Sequence, residues 1–173
     1  MSAPEPVVRD LRCFSAEDLH ALFADVYASS DAMSETLEEK YPDPRSLAGD
    51  VAALGHVPGA VALAAEVDGR PVAYVVVRPR KQARLRHTAD LGMGVARAAR
   101  GRGLGELVLR AALDRVRAAS VIEIVYLMVR ADNAPARRLY EKAGFATMAV
   151  LDRDTRIGDR YFDGILMRKH MAG

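Results

Sequence analysis

Apolar and polar residues alternate along this chain with two different periods, and each period predicts a different kind of element. Between Glu106 and Ala119 apolar positions recur every three to four residues, which predicts an amphipathic helix with one buried face. The apolar positions of this helix are Leu109, Ala112, Leu113 and Val116. Ser15 to Ser29 also has helical spacing, and Ser15 followed by Asp18 is close to a capping box at its start.

Two shorter segments have helical character, and each is followed by a glycine. Ser46 to Leu54 predicts a helix that stops at Gly55. Asn133 to Ala143 predicts another helix that ends at Gly144. Residues 31–46 are polar and contain two prolines, so we expect a loop or a broken helix there.

The remaining apolar segments are rich in β-branched residues and predict strands. These segments are Val7–Leu11, Ala60–Val67, Pro71–Arg78, Thr88–Val95, Ile122–Arg130, Ala146–Asp152 and Tyr161–Arg168. Asp68-Gly69 is a strong hairpin signal between the second and third strands, and a polar turn around Gly158-Asp159 joins the last two. The order β-α-α-β-β-β-α-β-α-β-β predicts a mixed α/β domain built around one sheet.

The size and composition of the chain indicate an ordinary globular protein. Its 173 residues suit a single domain over 1–173 with a full hydrophobic core. Half of the residues are hydrophobic and 28% are charged, as in soluble proteins, and no apolar run approaches the roughly 18 residues of a membrane span. Met1 to Arg12 contains two acids and two prolines and does not have the pattern of a signal peptide. We therefore expect no membrane association.

The single cysteine limits both the redox chemistry and the compartment. Cys13 has no partner for an internal disulfide and excludes a multi-cysteine zinc site. We expect it to be a core residue in a cytoplasmic, reducing environment. The net charge of +2 is too weak to indicate a nucleic-acid partner, so nucleic-acid binding is not expected.

A glycine-rich loop directly precedes the predicted amphipathic helix and has the sequence Arg100-Gly101-Arg102-Gly103-Leu104-Gly105. Its glycines let backbone N–H groups approach a ligand closely, and the helix N-terminus behind them favours an anion. A P-loop would require lysine after the last glycine, where this chain has Glu106, and a dinucleotide fingerprint would require a different glycine spacing. The loop therefore predicts a site for a pyrophosphate ligand that needs no metal held by the protein.

This loop resembles the acetyl-coenzyme A loop of the GNAT superfamily of N-acetyltransferases, whose pattern is Arg/Gln-x-x-Gly-x-Gly/Ala. A second block, from Asn133 to Phe145, matches the family pattern Asn-x-x-Ala-x-x-Leu-Tyr-x-x-x-Gly-Phe. The resemblance covers nearly the whole chain and is sharpest from His87 to Phe145. Two finer segments, 87–95 and 156–163, resemble bacterial amino-acid and ribosomal-protein-type acetyltransferases, and spermidine acetyltransferases are similar to these.

The resemblance implies a fold and a donor site. The fold would be a mixed, strongly twisted central sheet with helices on both faces, splayed open between the fourth and fifth strands near Val95 and Arg130. Acetyl-coenzyme A would enter this opening as the co-substrate, and no metal is implied. Backbone groups around Met93 and Val95 would pair with the pantetheine arm, and Asn133 would contact that arm or cap the short helix. The pyrophosphate would be held by the backbone of Arg100, Gly101, Arg102, Gly103, Leu104 and Gly105.

The chemistry implied by the resemblance is direct attack of an amine on the thioester. Tyr140 matches the general acid of the family, because a phenol remains protonated at neutral pH and can donate to a thiolate. Asp90 matches an acidic position that acts in some relatives as a base, often through water, and the oxyanion would lie near the Val95 amide. Each residue also has a structural alternative: Tyr140 as a packing aromatic, and Asp90 as the partner of an arginine such as Arg86. His87 is a weaker candidate for contact with the reacting groups.

The acceptor amine must be neutral before it attacks. For a lysine-like amine of pKa ~10.4 this costs roughly 4–5 kcal/mol at neutral pH, whereas an α-amine near ~8 costs about 1 kcal/mol. A small-molecule amine, such as an amino acid or a polyamine, is the first expectation. A protein N-terminus, including that of a ribosomal protein, is an alternative acceptor. An alternative to catalysis is that the chain is a non-catalytic coenzyme A-binding regulatory domain. The acceptor would be shaped by residues 25–45 and by the turn near 156–160.

A basic run lies between the third and fourth strands, at Arg78, Arg80, Lys81, Arg84 and Arg86. A solvated hairpin is the first interpretation of this run. The alternative is that it attracts an acidic acceptor or the 3′-phosphate of coenzyme A. A homodimer is expected only by analogy with the family.

Overall fold

The computed structural model describes residues 5–171, and seven strands in it form one mixed sheet. The strands are β1 (Val7–Asp10), β2 (Val61–Val67), β3 (Arg70–Pro79), β4 (Thr88–Val95), β5 (Ile124–Arg130), β6 (Ala146–Ile157) and β7 (Arg160–His170). Their spatial order is β1-β2-β3-β4-β5-β7-β6. The β4–β5 pair is parallel, whereas the other neighbouring pairs are antiparallel. The segment Met1–Arg12, for which the sequence analysis predicts no signal peptide, lies partly outside the described residues.

Helices cover the two faces of the sheet, as the resemblance implied. They are α1 (Ala16–Ala28), α2 (Leu37–Lys40), α3 (Pro44–Leu54), α4 (Leu104–Ala119) and α5 (Ala134–Lys142). One buried cluster joins α1 and α3 to β2 and β3, and a second joins α4 and α5 to the opposite face of the central strands. The predicted apolar face of α4, represented by Leu109 and Val116, is fully buried because it packs on β2 and β3.

Local signals in the sequence fix most of the element ends. Ser15 caps α1 by accepting a hydrogen bond from the backbone N–H of Asp18, as the capping pattern predicts. Asp68 and Gly69 both have positive φ and form the tight turn of the β2–β3 hairpin. Within residues 31–43 the structure has one short helix, α2, which begins with a capping box at Thr36.

Three expectations require correction. Strand β6 runs on to Ile157, past its predicted end at Asp152, because it pairs with β7 again after an irregularity between Leu151 and Thr155. Helix α3 begins at Pro44 and not at Ser46, because Asp43 is its N-cap and proline is well suited to the first helical position. Cys13 is exposed and is not a core residue. It lies in a short 3-10 turn whose inward position is taken by Leu11, which is fully buried, so Cys13 faces outward.

Candidate active site

The parallel strands β4 and β5 separate part of the way along their length. They pair over only three positions, from Thr88 opposite Ile124 to Asp90 opposite Tyr126. Beyond this point β4 stays paired with β3 as far as Val95, while β5 stays paired with β7 as far as Arg130. The two strands that the resemblance implied therefore do diverge, starting after Asp90 and Tyr126, and β4 presents a backbone edge that β5 does not cover.

The glycine loop lies between the end of β4 and the start of α4. Gly101 and Gly103 have φ values of 74° and 75°, a conformation that is strained for residues with a side chain. Gly103 is the N-cap of α4 and supplies no side-chain cap, so N–H groups of the first turn remain available to a ligand. A Cβ on Gly105 would lie 3.3 Å from Val95 Cγ2, which explains how closely α4 can approach β4.

The side chain of Arg100 braces the protein and does not extend toward a ligand. Its Nε donates to the Val95 carbonyl at 3.1 Å, and its Nη2 donates to Ser29 Oγ at 2.6 Å. Arg100 therefore ties the end of α1 to the end of β4 and orients the loop. Its predicted role in donor binding is restricted to the backbone.

Asn133 is the N-cap of α5. Its Oδ1 accepts a hydrogen bond of 3.3 Å from the backbone N–H of Ala136. This is the capping role that the sequence analysis offered as one of two possibilities. The other possibility, contact with the pantetheine arm, stays a prediction.

Tyr140 lies on α5 and is buried, with 7% of its surface exposed. Its ring meets that of Phe145 edge to face, with a centroid separation of 5.9 Å. Burial raises the pKa of Tyr140 to about 12. Both the packing role and a protonated hydroxyl suited to an acid are present.

Asp90 occupies the last paired position before β4 and β5 diverge. Its carboxylate accepts hydrogen bonds of 3.0 and 2.7 Å from Nε and Nη2 of Arg80. The predicted pairing with an arginine is thus confirmed, but the partner is Arg80 and not Arg86. Arg80 also lies over the ring of Tyr126, with its guanidinium carbon 4.7 Å from the centroid.

His87 lies at the closed end of the strand pair. Its backbone carbonyl accepts hydrogen bonds from the N–H groups of Glu123 and Ile124, where β5 begins. Leu91, the first residue of β4 beyond the paired positions, is four residues further on, roughly 13 Å along an extended strand. The structure therefore does not bring His87 to the opening.

Two groups of charged residues near the opening were missed by the sequence reasoning. Arg78 donates to both carboxylate oxygens of Asp50 on α3, at 3.1 and 2.6 Å, and Asp50 also accepts a hydrogen bond of 2.6 Å from the Tyr41 hydroxyl. No local pattern could have identified this group, because Arg78 and Asp50 are 28 positions apart.

The second group is centred on Arg130 at the end of β5. Its guanidinium binds the carboxylate of Asp132 and also the carbonyl and carboxylate of Asp31, at distances of 2.6–3.0 Å. Arg130 also stacks on Phe162 of β7, 4.0 Å from the ring centroid. The side chain thus joins the segment after α1 to the ends of β5 and β7.

The basic run between β3 and β4 divides into two parts. Residues 81–86 are exposed, in agreement with a solvated connection. Arg78 and Arg80 are engaged in the ion pairs described above. Their charges are therefore largely satisfied by the protein.

Residues 5–171 offer neither a clustered metal site nor a membrane-spanning helix. No group of three or more His, Cys, Asp or Glu side chains in this part of the chain is arranged to hold a metal ion. None of its helices is long and apolar enough to cross a membrane.

The known proteins that this chain resembles are acetyltransferases. The model of the Acetyltransferase (GNAT) family matches residues 18–145. The L-amino acid N-acetyltransferase AaaT of Escherichia coli is 27% identical over 144 residues, which are 83% of this chain and 87% of that protein.

Solved structures show the same fold. An acetyltransferase of the GNAT family from Streptococcus pneumoniae has a TM-score of 0.90 at 23% identity, covering 97% of this chain and 100% of that chain. The yncA protein of Salmonella typhimurium, whose structure contains its cofactor acetyl-CoA, has a TM-score of 0.86 at 18% identity, covering 96% of this chain and 94% of that chain.

Proposed function

The chain belongs to the GNAT acetyltransferase family, and we propose that it transfers the acetyl group of acetyl-CoA to a primary amine of a small molecule. The observation that carries this proposal is the divergence of β4 and β5 directly beside an α4 N-terminus without a side-chain cap. The similarity to an L-amino acid N-acetyltransferase over most of both chains makes amino acids the first acceptor class to examine.

The donor would be held mainly by backbone groups. The free edge of β4 around Met93 and Val95 can pair with the amides of the pantetheine arm, as an added strand would. The N–H groups of residues 100–105, at the start of α4, suit the pyrophosphate because the helix dipole favours negative charge there. With the donor held in this way, the thioester would lie within the opening.

The reaction needs no covalent enzyme intermediate. The amine nitrogen attacks the thioester carbonyl carbon, a C–N bond forms, and the C–S bond breaks. The developing oxyanion is stabilised by the Val95 amide, and the proton of the Tyr140 hydroxyl goes to the departing sulfur. Because burial raises the pKa of Tyr140 to about 12, the phenol carries its proton at neutral pH and can donate it. Tyr140 then recovers a proton from solvent.

The acceptor amine must lose a proton during the reaction. Asp90 lies at the branch point of the strands, and its side chain is 57% exposed despite the ion pair with Arg80. Its oxygens remain accessible to an ammonium group or to a water that relays the proton. We propose that Asp90 receives the amine proton, directly or through water. An α-amine is the acceptor that Asp90 would deprotonate most easily, because removing a proton from an α-amine costs only about 1 kcal/mol at neutral pH.

A screen of amines tests the proposal. The protein is incubated with acetyl-CoA and single amines from a panel of free amino acids, polyamines and peptides with free N-termini, and thiol release is followed. We expect amine-dependent thiol release with one or more free amino acids. The product should be heavier than the amine by about 42 Da, because an acetyl group replaces a hydrogen on the nitrogen. Turnover with peptides alone would assign a protein N-terminus as acceptor. Tight acetyl-CoA binding without turnover on any amine would contradict the catalytic proposal and favour a regulatory domain.

A further inference from the structure

Strand β4 contains two glycines on one face, and packing explains only one of them. A Cβ on Gly94 would lie 2.6 Å from Val26 Cγ1 and 2.7 Å from Tyr74 Cε1, so no larger residue fits there. A Cβ on Gly92 would have nothing within 4 Å, and Gly92 is exposed. The protein fold therefore gives no steric reason for glycine at position 92.

Backbone conformation gives no reason either. The glycines with positive φ in the described residues are Gly59, Gly69, Gly101, Gly103, Gly144 and Gly158. Gly92 is thus in ordinary extended backbone that any residue can adopt. Glycine inside a strand is unfavourable because it loses the most conformational freedom on folding, and it often marks a place where a ligand approaches closely.

The alternation of side chains along β4 shows which face is open at Gly92. Leu91 and Met93 belong to the cluster under α4, so the positions between them face the opposite side of the sheet. The contacts of a Cβ at Gly94 with Val26 and Tyr74 confirm that this is the side covered by α1 and α3. The free space above Gly92 is therefore on the side of the sheet that carries Asp90.

The neighbours of Gly92 place this space at the mouth of the opening. Val76 on β3 pairs with Gly92, and no residue of β5 pairs with it because the strands have already separated. Asp90 lies two positions earlier on the same face, opposite Tyr126. Further along β5 on that face lies Met128, whose surface is 47% exposed.

We propose that Gly92 determines how large an acceptor the enzyme admits, because the body of the acceptor lies on the backbone of Gly92 while its amine is directed to the thioester. This inference rests on the proposed amine acetylation. Its chemical content is steric: the Cα hydrogens of Gly92 form the floor of the acceptor site, with Asp90 beside it. Donor binding does not involve this face of β4, so a side chain at position 92 should leave acetyl-CoA binding intact.

The test compares Gly92→Ala and Gly92→Val with two matched glycine variants. Gly49→Ala also introduces a Cβ that has nothing within 4 Å, but on helix α3 and not on β4. Gly94→Ala introduces a Cβ on the same face of β4, where it would clash. For each variant we would measure Tm, KM for acetyl-CoA, and kcat/KM for a small and a bulky acceptor from the panel.

We expect Gly92→Ala and Gly92→Val to fold with a Tm no lower than that of the wild type. The ratio of kcat/KM for the bulky acceptor to that for the small one should fall about tenfold in Gly92→Ala and further in Gly92→Val. The KM for acetyl-CoA should stay within about twofold, since no donor contact changes. Gly49→Ala should leave both the ratio and KM unchanged, and Gly94→Ala should lower Tm.

Three negative results are distinguishable. A wild-type enzyme that turns over amines, together with Gly92 variants of unchanged acceptor selectivity, would overturn the role of Gly92 alone. A rise in the acetyl-CoA KM with unchanged selectivity would also overturn it, by placing the donor on this face. A wild-type protein inactive on every amine would overturn the proposed function and the inference with it.

Discussion

Arg80 holds the carboxylate of Asp90 with two hydrogen bonds, of 3.0 Å from Nε and 2.7 Å from Nη2, at the position where β4 and β5 separate. The pair fixes the direction of the Asp90 side chain, yet more than half of that side chain is exposed. The carboxylate is therefore accessible from solvent although it is paired with Arg80. This arrangement suits a residue that orients an incoming amine and accepts its proton through a short relay.

Asp90→Asn should lower kcat/KM for the acceptor by about 10²-fold at pH 7, because the amide cannot accept the amine proton. The loss should become smaller as the pH approaches the pKa of the acceptor, where the amine is neutral without assistance. The control is Asp114→Asn on α4, which removes another exposed carboxylate paired with an arginine, 2.9 Å from Arg117. Kinetics from pH 6.5 to 9.5 test the prediction, and a loss independent of pH would contradict the proton-accepting role.

Tyr140→Phe should reduce kcat by about 10²–10⁴-fold, because the thiolate would leave without a proton donor. The KM for acetyl-CoA and the Tm should change little, since phenylalanine preserves the packing against Phe145. Tyr161→Phe removes a hydroxyl from an exposed tyrosine on β7 and serves as the control. Thiol-release kinetics would refute the acid assignment if Tyr140→Phe retained the turnover of the control.

The raised pKa of Tyr140 predicts the alkaline behaviour of the enzyme. Because burial raises this pKa to about 12, the phenol stays almost fully protonated up to about pH 10. The wild-type kcat should show no alkaline decline below about pH 10, whereas a phenol of ordinary pKa ~10 would already be half ionised there. A kcat profile from pH 7 to 10 with saturating acceptor measures this directly, and a decline centred near pH 9 would be inconsistent with it.

Gly103→Ala should raise the KM for acetyl-CoA by about tenfold or more, since the loop would distort away from a φ of 75° and misplace its N–H groups. Gly69→Ala is the matched control, because Gly69 has a φ of 76° in the β2–β3 turn and a Cβ there would meet nothing within 4 Å. Both variants should lose about 1 kcal/mol of stability from backbone strain. An equal effect of the two on KM would show that strain, and not the anion site, is responsible.

The Tyr41–Asp50–Arg78 group should contribute to stability at neutral pH but not in acid. Burial acts to raise the pKa of Asp50, but hydrogen bonds from Arg78 and Tyr41 outweigh it and lower the pKa below its ordinary value of 3.8. The contribution is therefore present above that ordinary value and is lost as the pH falls through the lower folded-state value.

Asp50→Asn should consequently lower the free energy of unfolding by about 1–2 kcal/mol at pH 7, a figure that allows for screening of this half-exposed pair by solvent. The difference from the wild type should shrink below about pH 4. Urea unfolding at pH 7, 5 and 3 measures it. A difference that persists unchanged at pH 3 would attribute the effect to shape and not to charge.

The parts of the site that could be predicted are those in which neighbouring residues carry the signal. The glycine loop and the block from Asn133 to Phe145 each lie within one short segment, and their intervals identified the donor class. The cap at Asn133 was likewise foreseeable, because a capping side chain binds an N–H group only three residues away. Cys13 shows the limit of such reasoning, since its exposure depends on Leu11 taking the inward place in a turn.

The sequence by itself determined the order of the elements, the turn and cap positions, and the resemblance that points to acetyl-CoA. Each of these depends on a signal that lies within one short segment of the chain. Only the tertiary structure decided which arginine pairs with Asp90, and that Arg100, Arg78 and Arg130 bind residues 71, 28 and 99 positions away. It also decided that Gly94 is required by packing while Gly92 faces open space. Such relationships arise when distant segments are folded onto one sheet, and no interval along the chain encodes them.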